Sequence, residues 1–197
     1  MRPLPFLWPY SVVFWTVFFW AFLIEARLVA TGVPTERQNR SQDAGSVWIV
    51  ILANYLAMFL AFFYAVRARQ FNFTSGRLVA FWCGIALIIA GSLLRRHCFQ
   101  ILGQYFTAVV QVRANQPVID VGAYRLLRHP SYTAGLIMFA GIGLALGNWA
   151  SLVAAVVIPW AAYAYRVRAE ERALLATLGE PYRAYMRRTK RFIPYVI

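Results

Sequence analysis

The chain has 197 residues, of which 61% are hydrophobic and only 14% charged, so a soluble domain could not bury its apolar surface. Its net charge of +13 would suit a nucleic-acid-binding protein, but the basic residues stand at the ends of apolar runs and not on one soluble face. Composition therefore predicts an all-α integral membrane protein with no nucleic-acid partner, in which the bases mark loops and headgroup contacts.

The first half of the chain predicts three membrane spans, at about 6–30, 47–66 and 77–94, because each is an apolar run of roughly 20 residues. The first run is too long for the core of a signal peptide, so we expect it to be retained as a span. Asn54 is the strongly polar residue of the second span, and such a residue more often makes an interhelical hydrogen bond than a ligand contact.

A basic triplet at 95–97 is expected to end the third span, and the mixed aromatic and polar segment 98–107 to lie at the membrane interface. The segment 109–120 is expected to form an extended loop that crosses a site. The chain is then a single membrane domain of two parts, with three spans and an interfacial segment in 1–107 and the remaining segments in 108–197.

The second half predicts an apolar hairpin, about 130–146 and 149–165, joined by an uncharged Gly-Asn turn. The segment 166–188 has apolar residues at nearly helical spacing, which predicts a C-terminal amphipathic helix interrupted at Gly179 and Pro181. Glycines recur on the first arm of the hairpin. They either pack inside the bundle or face a second copy, and the sequence does not predict an oligomeric state.

This pattern gives about five transmembrane helices, and the distribution of bases predicts their orientation. With the C-terminus inside, 16 of the 20 Lys and Arg residues lie on the cytoplasmic side and 4 outside. The prediction is a multi-pass membrane protein whose C-terminus faces the cytoplasm, together with the polar segments that flank its last apolar hairpin.

Two polar segments fall at the same end of the last hairpin, and they suggest one site. The first, 122–132, reads GAYRLLRHPSY, and the second, 166–171, reads RVRAEE. Pro130 biases His129 away from helical torsions and suits the first turn of a helix. The free N–H groups of that turn would favour a carboxylate or another anion.

Arg166 and Glu170 are four residues apart and would share a helix face. On spacing alone a surface ion pair explains them equally well, and His129 alone would more often be structural. Their position directly after an apolar span favours a functional role, because ionisable groups at membrane depth are costly. The sequence has no Ser-His-Asp order, no metal-spaced cluster and no acid pair for hydrolysis, so we predict a site that binds and orients, without a metal.

The stretch 122–132, the apolar hairpin after it, Glu170 with Glu171, and the run from Leu174 to Tyr185 resemble the isoprenylcysteine carboxyl methyltransferase family, which is itself similar to phospholipid N-methyltransferases. The resemblance covers about 116–197. It implies S-adenosylmethionine as the methyl donor, held in a cytoplasmic-side pocket, and a lipid-like or prenylated small-molecule substrate whose carboxylate is methylated.

The resemblance also implies residue roles. Arg166 would bind the substrate, and Arg166 and Glu170 would be the catalytic pair. Gln116 stands where the family often has a histidine. The implied cofactor-binding residues are Gln116, Pro117, Val118, Ile119, Tyr124, His129, Pro130, Ser131, Tyr132 and Glu170.

Three alternatives stay open at this point. A phospholipid or amine N-methyltransferase would need a proton acceptor, for which Glu170 is the nearest candidate. A membrane reductase of the sterol-reductase type would use NADPH. A non-catalytic membrane scaffold would bind no cofactor.

Overall fold

The computed structural model describes residues 2–31, 45–106 and 116–193. Within these ranges the regular structure is helical, and the β-pairing consists of isolated bridges. The six α-helices of the described residues are α1 Tyr10–Thr31, α2 Ser46–Arg67, α3 Arg77–Leu102, α4 Pro130–Leu146, α5 Trp149–Leu178 and α6 Glu180–Arg188. The prediction of an all-α protein is confirmed.

Apolar length singles out the helices that could cross a membrane. Three helical segments of the described chain are long and apolar enough: Ser46–Arg67, Arg77–Tyr105 and Trp149–Leu178. Tyr10–Leu23 and Pro130–Leu146 are shorter apolar helices. Large apolar side chains on the outer faces, such as Leu52, Phe59 and Val79, stay exposed, as expected of surfaces that meet lipid.

The hairpin boundaries agree with the sequence because they depend on strong local signals. Pro130 opens α4, Gly147 adopts φ +66° after its last turn, and the Asn148 side chain caps α5 by accepting from Ser151 N. The predicted interruption at Gly179 is also confirmed, since this residue has φ +60° between α5 and α6.

The helix of the third span does not end at the basic triplet. It continues to Leu102, and Cys98 and Phe99 are buried against the rest of the protein. Arg95 explains the continuation, because its guanidinium faces inward, donates to Ser131 O at 2.7 Å and lies over the Phe99 ring. Of the predicted loop 109–120, residues 109–115 lie outside the described residues, and 116–120 have no regular structure.

The first part of the predicted C-terminal helix, 166–178, belongs to α5, and only the part after Gly179 is a separate helix, α6. α5 is continuous from Trp149 to Leu178, and its 30 residues give a length of about 45 Å. A hydrocarbon core is about 30 Å thick, so the last turns of α5 can extend beyond it. Arg166 and Glu170 lie in this last part.

Small residues bring α3 and α4 together. A Cβ on Gly84 would come within 2.5 Å of Gly141 O, and one on Gly91 within 2.7 Å of Ala134 O. Gly143 lies equally close to Leu152 of α5. The glycines of α4 therefore pack inside the bundle, which is the first of the two alternatives given above for these residues.

Candidate active site

A cavity of about 250 Å³ lies between the ends of α2, α3, α4 and α5, with α6 and residues 116–119 completing its wall. Nearly all the predicted site residues line it; Pro130, buried in the first turn of α4, does not. Those that the structure brings together are Gln116, Pro117, Val118, Ile119, Tyr124, His129, Ser131, Tyr132, Arg166 and Glu170.

The turn before α4 carries one wall of the cavity. Gly122–Arg125 forms a 3-10 turn that buries Tyr124, and the Tyr185 hydroxyl of α6 donates to Tyr124 O at 2.7 Å and Leu127 O at 3.2 Å. Burial raises the pKa of the Tyr124 phenol, so its hydroxyl stays protonated at neutral pH. The turn therefore presents neutral aromatic groups beside the basic residues.

The Tyr132 hydroxyl joins Arg166 to Glu170. Arg166 Nε donates to Tyr132 Oη at 2.7 Å, and this hydroxyl lies 3.0 Å from Glu170 Oε2, to which it donates. Arg166 also donates from Nη1 to Ser46 Oγ of α2. With only 6% of Arg166 exposed, the surface ion-pair alternative does not fit this arginine.

His129 lies between two adjacent glutamates. Its Nδ1 is 3.9 Å from Glu170 Oε2 and its Nε2 is 3.5 Å from Glu171 Oε1, and the imidazole is almost fully buried. The Glu170 side chain remains 31% exposed and lines the cavity. Within the described ranges, no group of three His, Cys, Asp or Glu side chains could hold a metal ion.

Sequence reasoning missed the contribution of α2 and α3. Arg95 and Phe99 of α3 and Asn54 of α2 line the cavity. Arg95 follows Gly91 by one helical turn on the face that meets α4, and this periodicity is the signal that could have found it. The expected interhelical bond of Asn54 is confirmed, because its Nδ2 donates to Tyr163 Oη at 3.2 Å.

A model of a known protein family matches the part of the chain that carries much of this site. The family model described as phospholipid methyltransferase matches residues 79–180, which is just over half of the chain. The chain belongs to the phospholipid methyltransferase family. The matched range holds Arg95, His129, Arg166 and Glu170, whereas the cavity residues of α2 and most of α6 lie outside it.

Curated relatives point to one branch of this family and confirm the resemblance seen in the sequence. Protein-S-isoprenylcysteine O-methyltransferase B of Arabidopsis thaliana is 32% identical over 115 residues, which cover 57% of this chain and 58% of the relative. The Schizosaccharomyces pombe protein-S-isoprenylcysteine O-methyltransferase is 27% identical over 114 residues, 57% of this chain and 48% of that one. The chain thus spans about half the length of these relatives.

A solved structure shares the fold of this family member. The eukaryotic intramembrane Ras methyltransferase, isoprenylcysteine carboxyl methyltransferase, superposes with a TM-score of 0.63 at 22% identity, covering 93% of this chain and 64% of that one. The match extends beyond the sequence alignments, so α1 and α2 also follow the architecture of a membrane enzyme. With its apolar helices, the protein is an integral membrane protein.

Proposed function

We propose that this protein is an S-adenosylmethionine-dependent membrane methyltransferase that methylates the carboxylate of a lipid-like, isoprenylcysteine-type molecule. The observation that carries the proposal is the cavity, where the turn before α4 meets Arg166 and Glu170 of α5. Their buried link through Tyr132 gives the site a fixed guanidinium beside a carboxylate that still reaches the cavity. The relatives named as isoprenylcysteine O-methyltransferases support the same reaction class.

The donor set of the cavity fits S-adenosylmethionine. The cofactor carries a carboxylate, an ammonium group, ribose hydroxyls and a sulfonium. The positive end of α4 suits a carboxylate, Glu170 suits an ammonium or ribose, and the Tyr124 and Tyr182 rings suit a sulfonium. The buried Asn54 Oδ1, which has no hydrogen-bond partner among the described residues, offers one more acceptor on the wall.

When bound, the cofactor supplies an electrophilic methyl group. An acceptor carboxylate is already ionised at pH 7, so the protein needs no general base and contributes by positioning and by excluding water. Arg166, held by Tyr132 and Ser46, would orient that carboxylate. Val47, Val50 and Ile51 of α2 form an apolar wall along which the lipid part of the acceptor would enter from the bilayer.

The proposal includes five spans with the cavity on the cytoplasmic side. The excess of bases in the loops on that side supports the orientation. A cytoplasmic cavity would take its cofactor from the aqueous phase and its acceptor from the membrane.

A second candidate is N-methylation of a phospholipid amine. The description of the matching family favours it, and so does Glu170, which could accept the proton that an amine must lose. The two candidates differ in the acceptor and not in the methyl donor.

The first experiment is calorimetry of S-adenosylhomocysteine with detergent-purified protein, wild type beside Glu170→Gln. We expect micromolar binding that Glu170→Gln weakens about tenfold, the effect of a lost charge-assisted hydrogen bond. Glu180→Gln is the matched control, because this carboxylate is 60% exposed on α6. Absence of binding in a folded, monodisperse wild-type sample would refute the methyltransferase.

Methyl-labelled S-adenosylmethionine then separates the acceptors. N-acetyl-S-farnesylcysteine and phosphatidylethanolamine vesicles are tested side by side. Label that enters the farnesylcysteine as a base-labile ester supports the first candidate, and label in a base-stable phospholipid amine supports the second.

A further inference from the structure

The adjacent residues Glu170 and Glu171 have different surroundings. Neighbouring side chains on a helix point about 100° apart, so each carboxylate meets its own environment. Glu170 lines the cavity, whereas Glu171 has only 4% of its side chain exposed and does not line it. A buried carboxylate next to a binding site, but outside it, calls for a role of its own.

Both oxygens of Glu171 are engaged by basic groups. Oε1 accepts from Arg128 Nε at 2.8 Å and lies 3.5 Å from His129 Nε2. Oε2 accepts from Arg191 Nε at 3.0 Å and from Arg191 Nη2 at 2.7 Å. One carboxylate thus joins the turn before α4 to the residues that follow α6.

The segment 186–192, here the C-terminal strap, lies along that turn through backbone hydrogen bonds. Arg128 N donates to Lys190 O at 2.7 Å, and His129 N donates to Arg191 O at 3.2 Å. Arg128 Nη1 donates to Met186 O at 2.9 Å and also to Thr189 O. Thr133 Oγ1 donates to Phe192 O at 2.8 Å.

The guanidinium of Arg128 depends on Glu171 for its charge balance. Its side chain is 10% exposed, and its other acceptors in the strap are the neutral carbonyls of Met186 and Thr189. Without the Glu171 carboxylate, a buried positive charge would be left on carbonyls alone, and the turn and strap would separate to let water reach it. Arg128 and His129 both line the cavity, so this movement would change the site.

We propose that Glu171 is a positioning residue that clamps the C-terminal strap onto the turn before α4 and so holds Arg128 and His129 in place on the wall of the cavity. Glu171 itself touches no ligand. The identity of the bound molecule rests on the proposed function, but the clamp itself does not.

The test compares Glu171→Gln with Glu171→Asp and with a matched control. Glu180→Gln is that control, because Glu180 also pairs with two arginines, Arg183 and Arg187, but on an exposed surface. The first measurement is amide hydrogen exchange of the ligand-free proteins in detergent. Glu171→Gln is expected to speed exchange of the Arg128 and His129 amides at least tenfold while α2 and α3 keep wild-type protection, and Glu180→Gln is expected to change neither.

The second measurement is the Kd for S-adenosylhomocysteine. Glu171→Gln is expected to raise it at least tenfold and Glu171→Asp by less. The KM for the acceptor, at saturating S-adenosylmethionine, is expected to stay within twofold of wild type. If Glu171 had a purely structural role, Glu171→Gln would lower the folded fraction. The folded protein would then show no rise in the Kd for S-adenosylhomocysteine at an unchanged KM for the acceptor.

The outcomes separate the clamp from the function. Unchanged exchange at Arg128 and His129, a Kd within twofold of wild type, or loss of protection throughout α2 and α3 would each overturn the clamp. If Glu171→Gln does not fold, Arg191→Gln, which removes only the strap side, must show the same localised exchange or the clamp is again refuted. Wild-type protein that fails to bind S-adenosylhomocysteine refutes the proposed function, and the exchange result still decides on the clamp.

Discussion

The two ends of α5 carry buried polar clusters of opposite character. At its first turn the cluster is neutral: Asn148 Nδ2 donates to Ala68 O and to Asn72 Oδ1, both at 2.9 Å. Ser151 Oγ donates to Ala61 O at 2.6 Å. These bonds tie the start of α5 to the end of α2, and none of these residues lines the cavity of the candidate active site.

At the other end the cluster is charged and surrounds the cavity. It consists of Arg128, His129, Arg166, Glu170 and Glu171. Neutral hydrogen bonds suffice to join helices, whereas buried charges cost desolvation that packing alone does not require. Under the proposed function, one end of α5 then serves stability and the other serves binding.

Replacing the arginine at the centre of the charged cluster should have the largest effect. Arg166→Met keeps an unbranched apolar stem and removes the guanidinium that would orient the acceptor. We expect a loss of about 100-fold or more in kcat/KM for a farnesylcysteine acceptor, in the range of about 3 kcal/mol for a lost charge-assisted contact.

The matched control for this change is Arg168→Met, two residues along and exposed on the same helix. It should keep wild-type activity. If both variants lose activity equally, the charged end of α5 acts through net charge and not through the site, and the contrast between the two ends of α5 no longer stands.

Removing the cap at the neutral end should lower stability and leave binding intact. Asn148→Ala deletes the bond to Ser151 N and the two donated bonds, at a cost of about 2 kcal/mol. Thermal unfolding in detergent measures the loss, and the Kd for S-adenosylhomocysteine should stay within twofold of wild type. A Kd that rises as the melting temperature falls would show that the two ends are coupled.

Features of the fold that depend on local signals could be predicted from the sequence, whereas those that depend on distant partners could not. Pro130, Gly147 and Asn148 act through local torsions and capping, so both ends of α4 and the start of α5 could be predicted, whereas the end of α5 could not. Arg95 was assigned to a helix end because three consecutive basic residues resemble a membrane boundary. Its true role depends on Ser131 O, a partner 36 residues away that local patterns do not reveal.

The candidate site shows the same limit. The family resemblance implies roles for the turn before α4 and for Glu170, and the structure places both on the cavity. Glu171 was seen only as part of a motif, because its partners Arg128 and Arg191 come from two other segments. Pairings between distant segments form only when the chain folds, so the clamp could not be predicted from spacing.

The pH dependence of stability should also distinguish the two ends of α5, and this effect is expected to be the smallest. Tyr124, Tyr182 and Tyr185 all line the cavity, and burial raises the pKa of each phenol above its ordinary value near 10. Near pH 7 the folded and unfolded chains are both protonated at these groups, so they contribute no pH dependence there. As pH rises through 10, the unfolded chain loses these protons and the folded chain keeps them, so stability falls.

For a single tyrosine the loss at pH 11 is about 1.4 kcal/mol. Tyr182→Phe should reduce the fall in stability between pH 9 and 11 by that amount, as measured by unfolding of detergent-solubilised protein. Tyr165→Phe, at an exposed ring of α5, controls for removing a hydroxyl. Because the neutral cluster around Asn148 has no titrating side chain, Asn148→Ala should shift the whole stability curve down without changing its alkaline slope. A slope that Tyr182→Phe leaves unchanged would mean that water already reaches this wall of the cavity, and the cavity end would then be less dry than methyl transfer from a sulfonium to a carboxylate requires.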